Sequence, residues 1–301
     1  MTTIDLHTHT RASDGSDTPA ELVEAAARAG VKVLAVTDHD TVAAVAAAQA
    51  AGAEHGVRVL VGLEITGEVA GSAGLPWTAS LRSPARSAGG RVVHLLAYGA
   101  GLLAPGAVDR VEAVRRERLE RNHRIGERLE ALTGVGYDQA AALAGRSALS
   151  RAHFARALIQ AGVVADTAEA FDRYLSNGRP AYAPAPSLPV EEVVALVHGL
   201  GGLVVLAHPG RLGGAEADGV VAAAIEAGID GLEVWHSQHD ADARHHWQAT
   251  ADRHGLLVTG GSDYHGAHKP TVRIGSGTDD NVDVPDQVLA DLEERLSAVA
   301  G

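Results

Sequence analysis

Ile4-Asp5-Leu6-His7, then a helix start at Thr18-Pro19-Ala20-Glu21, then apolar runs at Val33-Leu34-Ala35-Val36-Thr37 and Val57–Leu63, set out the fold of this chain. Short β-branched runs alternating with helix-length amphipathic segments read as βαβαβ, which implies a parallel sheet. The first helix is well marked: Thr18 can be its N-cap, Pro19 takes the first helical position, Glu21 closes a capping box and Gly30 can end it. A second helix is expected across Val42–His55.

Working outward, Gly71–Gly90 is rich in Gly, Ala, Ser and Pro without a sustained period and reads as a surface loop. Arg91–Tyr98 is a fourth strand. Residues 106–175 read as entirely helical, with segments at Asp109–Glu130, Gln139–Leu143, Arg151–Ala161 and Thr167–Leu175, and form a candidate inserted domain. After Pro184–Pro189 the α/β pattern returns: helix Glu191–Leu200, strand Leu203–Leu206, helix Val220–Ala227, strand Gly231–Trp235, helix Asp240–His254 and strand Leu256–Thr259. Seven strands result. The expected division is a barrel over 1–100 and 183–301 with a helical insertion over 101–182.

Composition narrows the function. The chain has 301 residues, 46% of them hydrophobic, enough for a sizeable core. It has 16 His and no Cys, which excludes disulfides, thiolate zinc sites and iron–sulfur clusters. No apolar run approaches the roughly 18 residues of a membrane span. The N-terminus enters a strand without the features of a signal peptide, so a cytoplasmic location is expected. A formal charge of −13 argues against a protein that coats nucleic acid.

The histidines and carboxylates are not scattered. His7 and His9, at i and i+2 on an extended segment, point to one side and can grip one ion from a strand end. Asp14, in Ser13-Asp14-Gly15, His39, in Thr37-Asp38-His39-Asp40, Glu64, His94, His208, and Asp263 with His265, in Gly261-Ser262-Asp263-Tyr264-His265, lie on or just after other strands. In barrels of parallel strands the carboxyl-terminal face carries the site, so residues distant in sequence converge there. Imidazole and carboxylate together suit manganese, zinc and iron.

Four of these stretches, in order, resemble the polymerase and histidinol phosphatase (PHP) superfamily: Asp5-Leu6-His7-Thr8-His9, Thr37-Asp38-His39, Ala207-His208-Pro209 and Gly261-Ser262-Asp263-Tyr264-His265. The resemblance covers nearly the whole chain and implies an α/β fold, a distorted (β/α)7 barrel with an inserted small helical domain. It further implies two or three divalent metal ions. His7, His9, Glu64 and Asp263 would hold the first, Glu64, His94 and His208 the second with Glu64 bridging, and Asp14, His39 and His265 the third. Open coordination positions would accept water and phosphate oxygens, and a hydroxide between two cations would attack phosphorus in line. Asp14, His208, Asp263 and His265 carry over as catalytic.

Within the superfamily, Ser150-Arg151-Ala152-His153, Arg179-Pro180-Ala181-Tyr182 and His208-Pro209-Gly210-Arg211 look like the branch that dephosphorylates nucleotides, including nucleoside 3′,5′-bisphosphates and 5′-phosphorylated oligoribonucleotides. Guanidinium groups grip phosphate bidentately, so Arg151 and Arg211 are the expected clamps, with Arg179 and His153 beside them. Ala152 departs from the branch's usual proline, and the Glu64–His94 segment is longer than the pattern.

The expected function is therefore a metal-dependent phosphoesterase acting on a small phosphorylated nucleotide, with no membrane or obligate protein partner. A 5′→3′ exoribonuclease on short RNA, a histidinol-phosphate phosphatase and a regulatory metal-binding module are the alternatives. His55, His123, His198, His245, His246, His254 and His268, outside the motifs, are read as structural. Asp38 and Asp40 would orient ligands or cap a helix, and His236 and His239 would support the site or protonate the leaving oxygen. Glu112/Arg116, Glu117/Arg121 and Glu120/Arg124 are read as i, i+4 pairs on a solvated helix.

Overall fold

The computed structural model describes residues 3–69, 91–145, 149–184, 186–213 and 217–299, so the loop expected at Gly71–Gly90 lies outside them. In chain order the elements begin β1 (Ile4–Thr8), α1 (Pro19–Ala29), β2 (Val33–Val36), α2 (Val45–His55), β3 (Arg58–Val69) and β4 (Arg91–Tyr98). Helices α3 (Asp109–Thr133), α4 (Tyr137–Ala144), α5 (Arg151–Gln160) and α6 (Thr167–Ala170) follow. The chain continues through β5 (Leu188–Pro189), α7 (Val190–Gly199), β6 (Leu203–Leu206), α8 (Ala217–Glu226), β7 (Gly231–His236), α9 (Ala241–His254), β8 (Leu257–Gly261) and α10 (Asp286–Val299). By contacts it divides into two compact units, Met1–Val111 with Ser187–Gly301, and Glu112–Pro186. No helix among the described residues is long and apolar enough to cross a membrane.

In the first unit the strands follow the order β1-β2-β3-β4-β6-β7-β8, with β5 on the outer end of β3. The ring nearly closes where the chain leaves β8. There His9 N–H donates to the Tyr264 carbonyl and Asp263 N–H to the His7 carbonyl, both at 2.9 Å. This is a distorted seven-stranded α/β barrel. α1 forms as its sequence dictates: Thr18 Oγ1 accepts from Glu21 N–H, the Glu21 carboxylate accepts from Thr18 N–H, and Gly30 ends the helix at φ 84°. Leu22, Val23 and Ala26 bury one face of α1 against Leu34, Val36 and Val45. Full burial of such a side chain contributes about 1.5–3 kcal/mol.

Two expectations need correction. The sheet is not wholly parallel, because β4 runs antiparallel to both β3 and β6. β3 also continues past Leu63 to Val69, pairing along its outer half with β4 from Gly62↔Tyr98 to Val69↔Arg91. Glu64 therefore lies within β3 instead of after it. The reversal has a useful consequence: His94, near the start of β4, falls at the same end of the barrel as the carboxyl ends of the strands that run opposite to β4.

In the second unit, Ile125, Leu129, Phe154, Leu158 and Leu175 form the core among the helical segments. The Glu117/Arg121 reading fails there. Arg121 is buried, its Nε–H donating to the Ala183 carbonyl at 3.1 Å and its Nη1 to Asn122 Oδ1 at 3.2 Å. Glu112 meets Arg115, one residue short of the predicted Arg116, at 3.9 Å, and Glu120 meets Arg124 at 4.0 Å.

Candidate metal centre

Glu64 lies at the middle of the site. Its Oε2 is 3.3 Å from His7 Nε2, 3.1 Å from His9 Nε2 and 3.2 Å from His39 Nδ1. Its Oε1 is 2.9 Å from His94 Nδ1 and 3.1 Å from His208 Nε2. Asp14 and Asp263 flank it. Asp14 Oδ1 is 3.2 Å from His265 Nε2 and its Oδ2 3.6 Å from His39 Nε2, while Asp263 Oδ1 is 3.6 Å from His7 Nε2 and 3.4 Å from His9 Nε2. All nine residues singled out as ligands thus meet at one end of the barrel.

Local backbone explains the convergence. Asp40, His208 and Asp263 adopt left-handed conformations with φ of 52°, 32° and 57°, each of which costs on the order of 1–3 kcal/mol in a non-glycine residue. Each is held by its own N–H: Asp40 to the Glu64 carbonyl at 2.9 Å, Asp263 to the His7 carbonyl at 2.9 Å, and His208 to Glu233 Oε2 at 2.7 Å. Strain maintained beside a cluster of donors marks a built site.

Burial and opposing charges compete throughout the cluster. Burial alone would raise the Glu64 carboxyl, but His39, His94 and His7 reverse this and hold it well below the usual range. Burial would likewise strip the proton from His7 and His9. The carboxylates around them outweigh it, raising His7 well above 6.5 and His9 to about 9. His208 is pushed down to about 4, chiefly by burial. His7 and His9, both raised, thus stand beside carboxylates that are themselves lowered, Glu64 and Asp263.

The residues fit divalent ions. Three groups of donors each bring their ligand atoms within 4.8 Å of one another: His9, Asp14, His39 and His265; His7, His9 and Glu64; His39, Glu64 and His94. His39 Nδ1 and His94 Nδ1 are buried without a hydrogen bond, although both stand close to Glu64. His7 Nε2 and His9 Nε2 approach to 3.1 Å, the separation of two ligands on one ion. Nitrogen and carboxylate donors without sulfur suit manganese, zinc and iron.

Comparison with known proteins agrees with this geometry. The PHP domain pattern matches residues 5–177. The chain belongs to the PHP domain family. It is 33% identical over 300 residues to a 3′,5′-nucleoside bisphosphate phosphatase of Chromobacterium violaceum, with 98% of each chain covered. It is 33% identical over 266 residues to a 5′-3′ exoribonuclease of Salmonella typhimurium, covering 87% of this chain and 84% of the other. A crystal structure described as a metal-dependent phosphoesterase, from Bifidobacterium adolescentis, superposes with a TM-score of 0.74 at 34% identity, covering 98% of this chain and 96% of that one.

Around the candidate donors of this PHP domain stands a layer of supports, some of them unforeseen in the sequence. Glu233, buried on β7, takes His7 Nδ1–H at 2.8 Å and His208 N–H at 2.7 Å, aiming one imidazole and fixing the turn that carries another. Asp5 accepts from Ser262 N–H and Oγ–H at 2.8 and 2.7 Å and from Gly275 N–H at 2.7 Å, joining β1 to the segment that follows β8. Asp38 accepts from Thr10 N–H at 2.8 Å and Ser13 Oγ–H at 2.5 Å, shaping the loop that presents Asp14. Asp40 accepts from Thr66 N–H at 3.0 Å and caps no helix, since the N-cap of α2 is Ala44.

His236 and His239 are both committed. His236 Nδ1 accepts from Gln238 N–H at 3.1 Å, which leaves Nε2–H for Asp263 Oδ2 at 3.4 Å. His239 donates Nδ1–H to the Val234 carbonyl at 2.9 Å and accepts Gly210 N–H on Nε2 at 3.0 Å. Each ring nitrogen of both thus has a protein partner.

Of the expected phosphate clamps, Arg211 stands beside the centre, its Nη1 3.6 Å from Asp263 Oδ2. The other three belong to the second unit. Arg151 donates to the Leu175 carbonyl at 3.3 Å and lies over the Phe171 ring, 5.5 Å from its centroid. His153 Nδ1 accepts Ser150 N–H at 3.1 Å, and Arg179 pairs with Asp172 at 2.6 Å. Lys269, absent from the sequence reading, places Nζ 2.5 Å from Asp263 Oδ2.

Proposed function

We propose that the protein is a metal-dependent phosphoesterase that releases inorganic phosphate from a nucleotide phosphomonoester, such as a nucleoside 3′,5′-bisphosphate or an AMP-like molecule. The observation that carries this reading is Glu64, whose two oxygens divide five imidazoles between them while Asp14 and Asp263 close the flanks. A structural site needs one closed shell; this one offers donors to several adjacent ions. His7, His9, Glu64 and Asp263 would hold one ion, Glu64, His94 and His208 a second, and Asp14, His39 and His265 a third. Ions held there supply Lewis acidity toward phosphoryl oxygens and lower the pKa of water.

The chain contributes orientation and charge. Glu233 and Asp38 fix the rings and loop that present the donors, so little reorganisation remains when substrate arrives. Asp14, His208, Asp263 and His265, facing the reacting group, are the proposed catalytic residues. Arg211, beside Asp263, would bind phosphate oxygens of the substrate. Arg151, with His153 and Arg179, would contact substrate from the helical segment 101–182, proposed as an inserted domain.

The names of the relatives, a nucleoside bisphosphate phosphatase and an exoribonuclease, support nucleotide phosphoesters as the class. The formal charge of −13 favours a mononucleotide over long RNA, because each phosphate beyond the centre meets an acidic protein. The exoribonuclease likeness keeps short 5′-phosphorylated RNA as the second reading. Phosphate release by metal-analysed protein from AMP, adenosine 3′,5′-bisphosphate, a 5′-phosphorylated oligonucleotide and histidinol phosphate tests the assignment. Release from the bisphosphate or AMP is expected; hydrolysis of histidinol phosphate alone would refute it.

A further inference from the structure

Two cations stand beside the centre on turns that directly follow two of its imidazoles. Arg211 comes three residues after His208, on a turn closed by Arg211 N–H to the His208 carbonyl at 2.9 Å. Glu233 holds that turn at His208 N–H and His239 holds it at Gly210 N–H. Nothing larger fits at Gly210, where a Cβ would lie 2.6 Å from the His239 ring. Lys269 comes four residues after His265, its N–H bonded to the Gly266 carbonyl at 3.2 Å. That second turn is tied down as well, by Ala267 N–H to Ser16 Oγ at 2.8 Å and the His268 ring to the Asp14 carbonyl at 3.0 Å.

The two side chains converge on one atom. Asp263 Oδ2 is 2.5 Å from Lys269 Nζ and 3.6 Å from Arg211 Nη1, whereas Oδ1 faces His7 and His9. Asp263 thus turns Oδ1 to the imidazoles of His7 and His9, while its Oδ2 meets both cations together with the buried His236 Nε2 at 3.4 Å. At 3.6 Å the Arg211 contact is an ion pair without a hydrogen bond, so its fork of donors is not satisfied by Asp263. The Lys269 and Arg211 side chains are 32% and 42% exposed, open to a ligand in solvent. Two full positive charges sharing one carboxylate oxygen leave an excess that a second anion would neutralise.

We propose that Arg211 and Lys269 form an anion subsite that takes the substrate's second phosphate, the one not being hydrolysed. The reacting phosphoryl group belongs among the buried donors, and the cation pair lies beside them at Asp263 Oδ2. The inference rests on the phosphoesterase reading and adds to it a preference for nucleotides bearing two phosphates over those bearing one.

Lys269→Met and Arg211→Met, each with its metal content measured, are compared with wild type for kcat/KM on adenosine 3′,5′-bisphosphate and on AMP. The bisphosphate-to-AMP ratio should fall about tenfold or more in either variant, mainly through KM, and Lys269→Arg should restore most of it. An equal fall on both substrates, or loss of metal from Lys269→Met, overturns the subsite and makes Lys269 a support for the Asp263 carboxylate. Calorimetry on chelator-treated protein gives an independent readout. Adenosine 3′,5′-bisphosphate should bind more tightly than AMP to wild type but not to Lys269→Met, and equal affinities in wild type overturn the subsite. An affinity difference without phosphate release from any nucleotide would instead overturn the hydrolase reading alone.

Discussion

Glu64→Gln is the substitution from which most follows. It leaves shape almost unchanged but removes the charge that His7, His9, His39, His94 and His208 share at 2.9–3.3 Å. The new amide also points a donor at ring nitrogens whose lone pairs an ion needs. Breaking a buried charged pair by removing one partner costs about 3–5 kcal/mol, or roughly two to four powers of ten in ion affinity. In ion-free protein the His9 pKa should drop from about 9 toward its ordinary 6.5, because Glu64 is among the groups that raise it. Metal content after dialysis, metal titration by calorimetry and phosphate release provide the assay, with thermal unfolding confirming that the variant is folded. A variant with full metal occupancy and normal turnover would refute the role of Glu64 as the shared ligand.

Four further outcomes are expected. Glu233→Gln should weaken metal affinity about ten- to a hundredfold, since it loosens the His7 ring and the His208 turn together; unchanged affinity by calorimetry would remove Glu233 from the account. Below pH 9 ion binding must displace the His9 proton, and the His7 proton with it, so affinity should rise with pH toward about 9, and titrations in two buffers of different ionisation enthalpy should show proton release. The raised His9 pKa stabilises ion-free protein fully below pH 6.5 and less as pH rises through 9, while lowered His208 costs stability as pH falls from 6.5 toward 4; a melting temperature that climbs between pH 6.5 and 9 would contradict this. Arg151→Ala should lower kcat/KM about ten- to a hundredfold with metal content intact, and wild-type activity on every phosphoester tried would make Arg151 a structural residue.

Much of the centre was legible because its candidate donors fall at strand ends: His7 on β1 and His9 just past it bring their Nε2 atoms to 3.1 Å, and His39, His208 and Asp263 sit just beyond β2, β6 and β8. What escaped was direction. A parallel crossover from β3 to β4 requires a helix, and the aperiodic stretch after Val69 offers no helical pattern, a signal that favours the observed antiparallel pairing. Glu233 was hidden as a single acid in the apolar run Gly231-Leu232-Glu233-Val234-Trp235, although a carboxylate there must have a buried partner. Arg121 was misread because i, i+4 counting ignores which side of α3 is buried beside Ile125 and Leu129. Lys269 had no motif to announce it; only the turn after His265 brings it onto Asp263.

The most direct test of the account is phosphate released from adenosine 3′,5′-bisphosphate as manganese is titrated into chelator-stripped protein, with bound metal counted at each step. Release should be absent without metal and should appear as more than one ion per chain is bound, in keeping with donors that group around more than one position. Full metal occupancy without phosphate release, or release that persists after complete stripping, would contradict it.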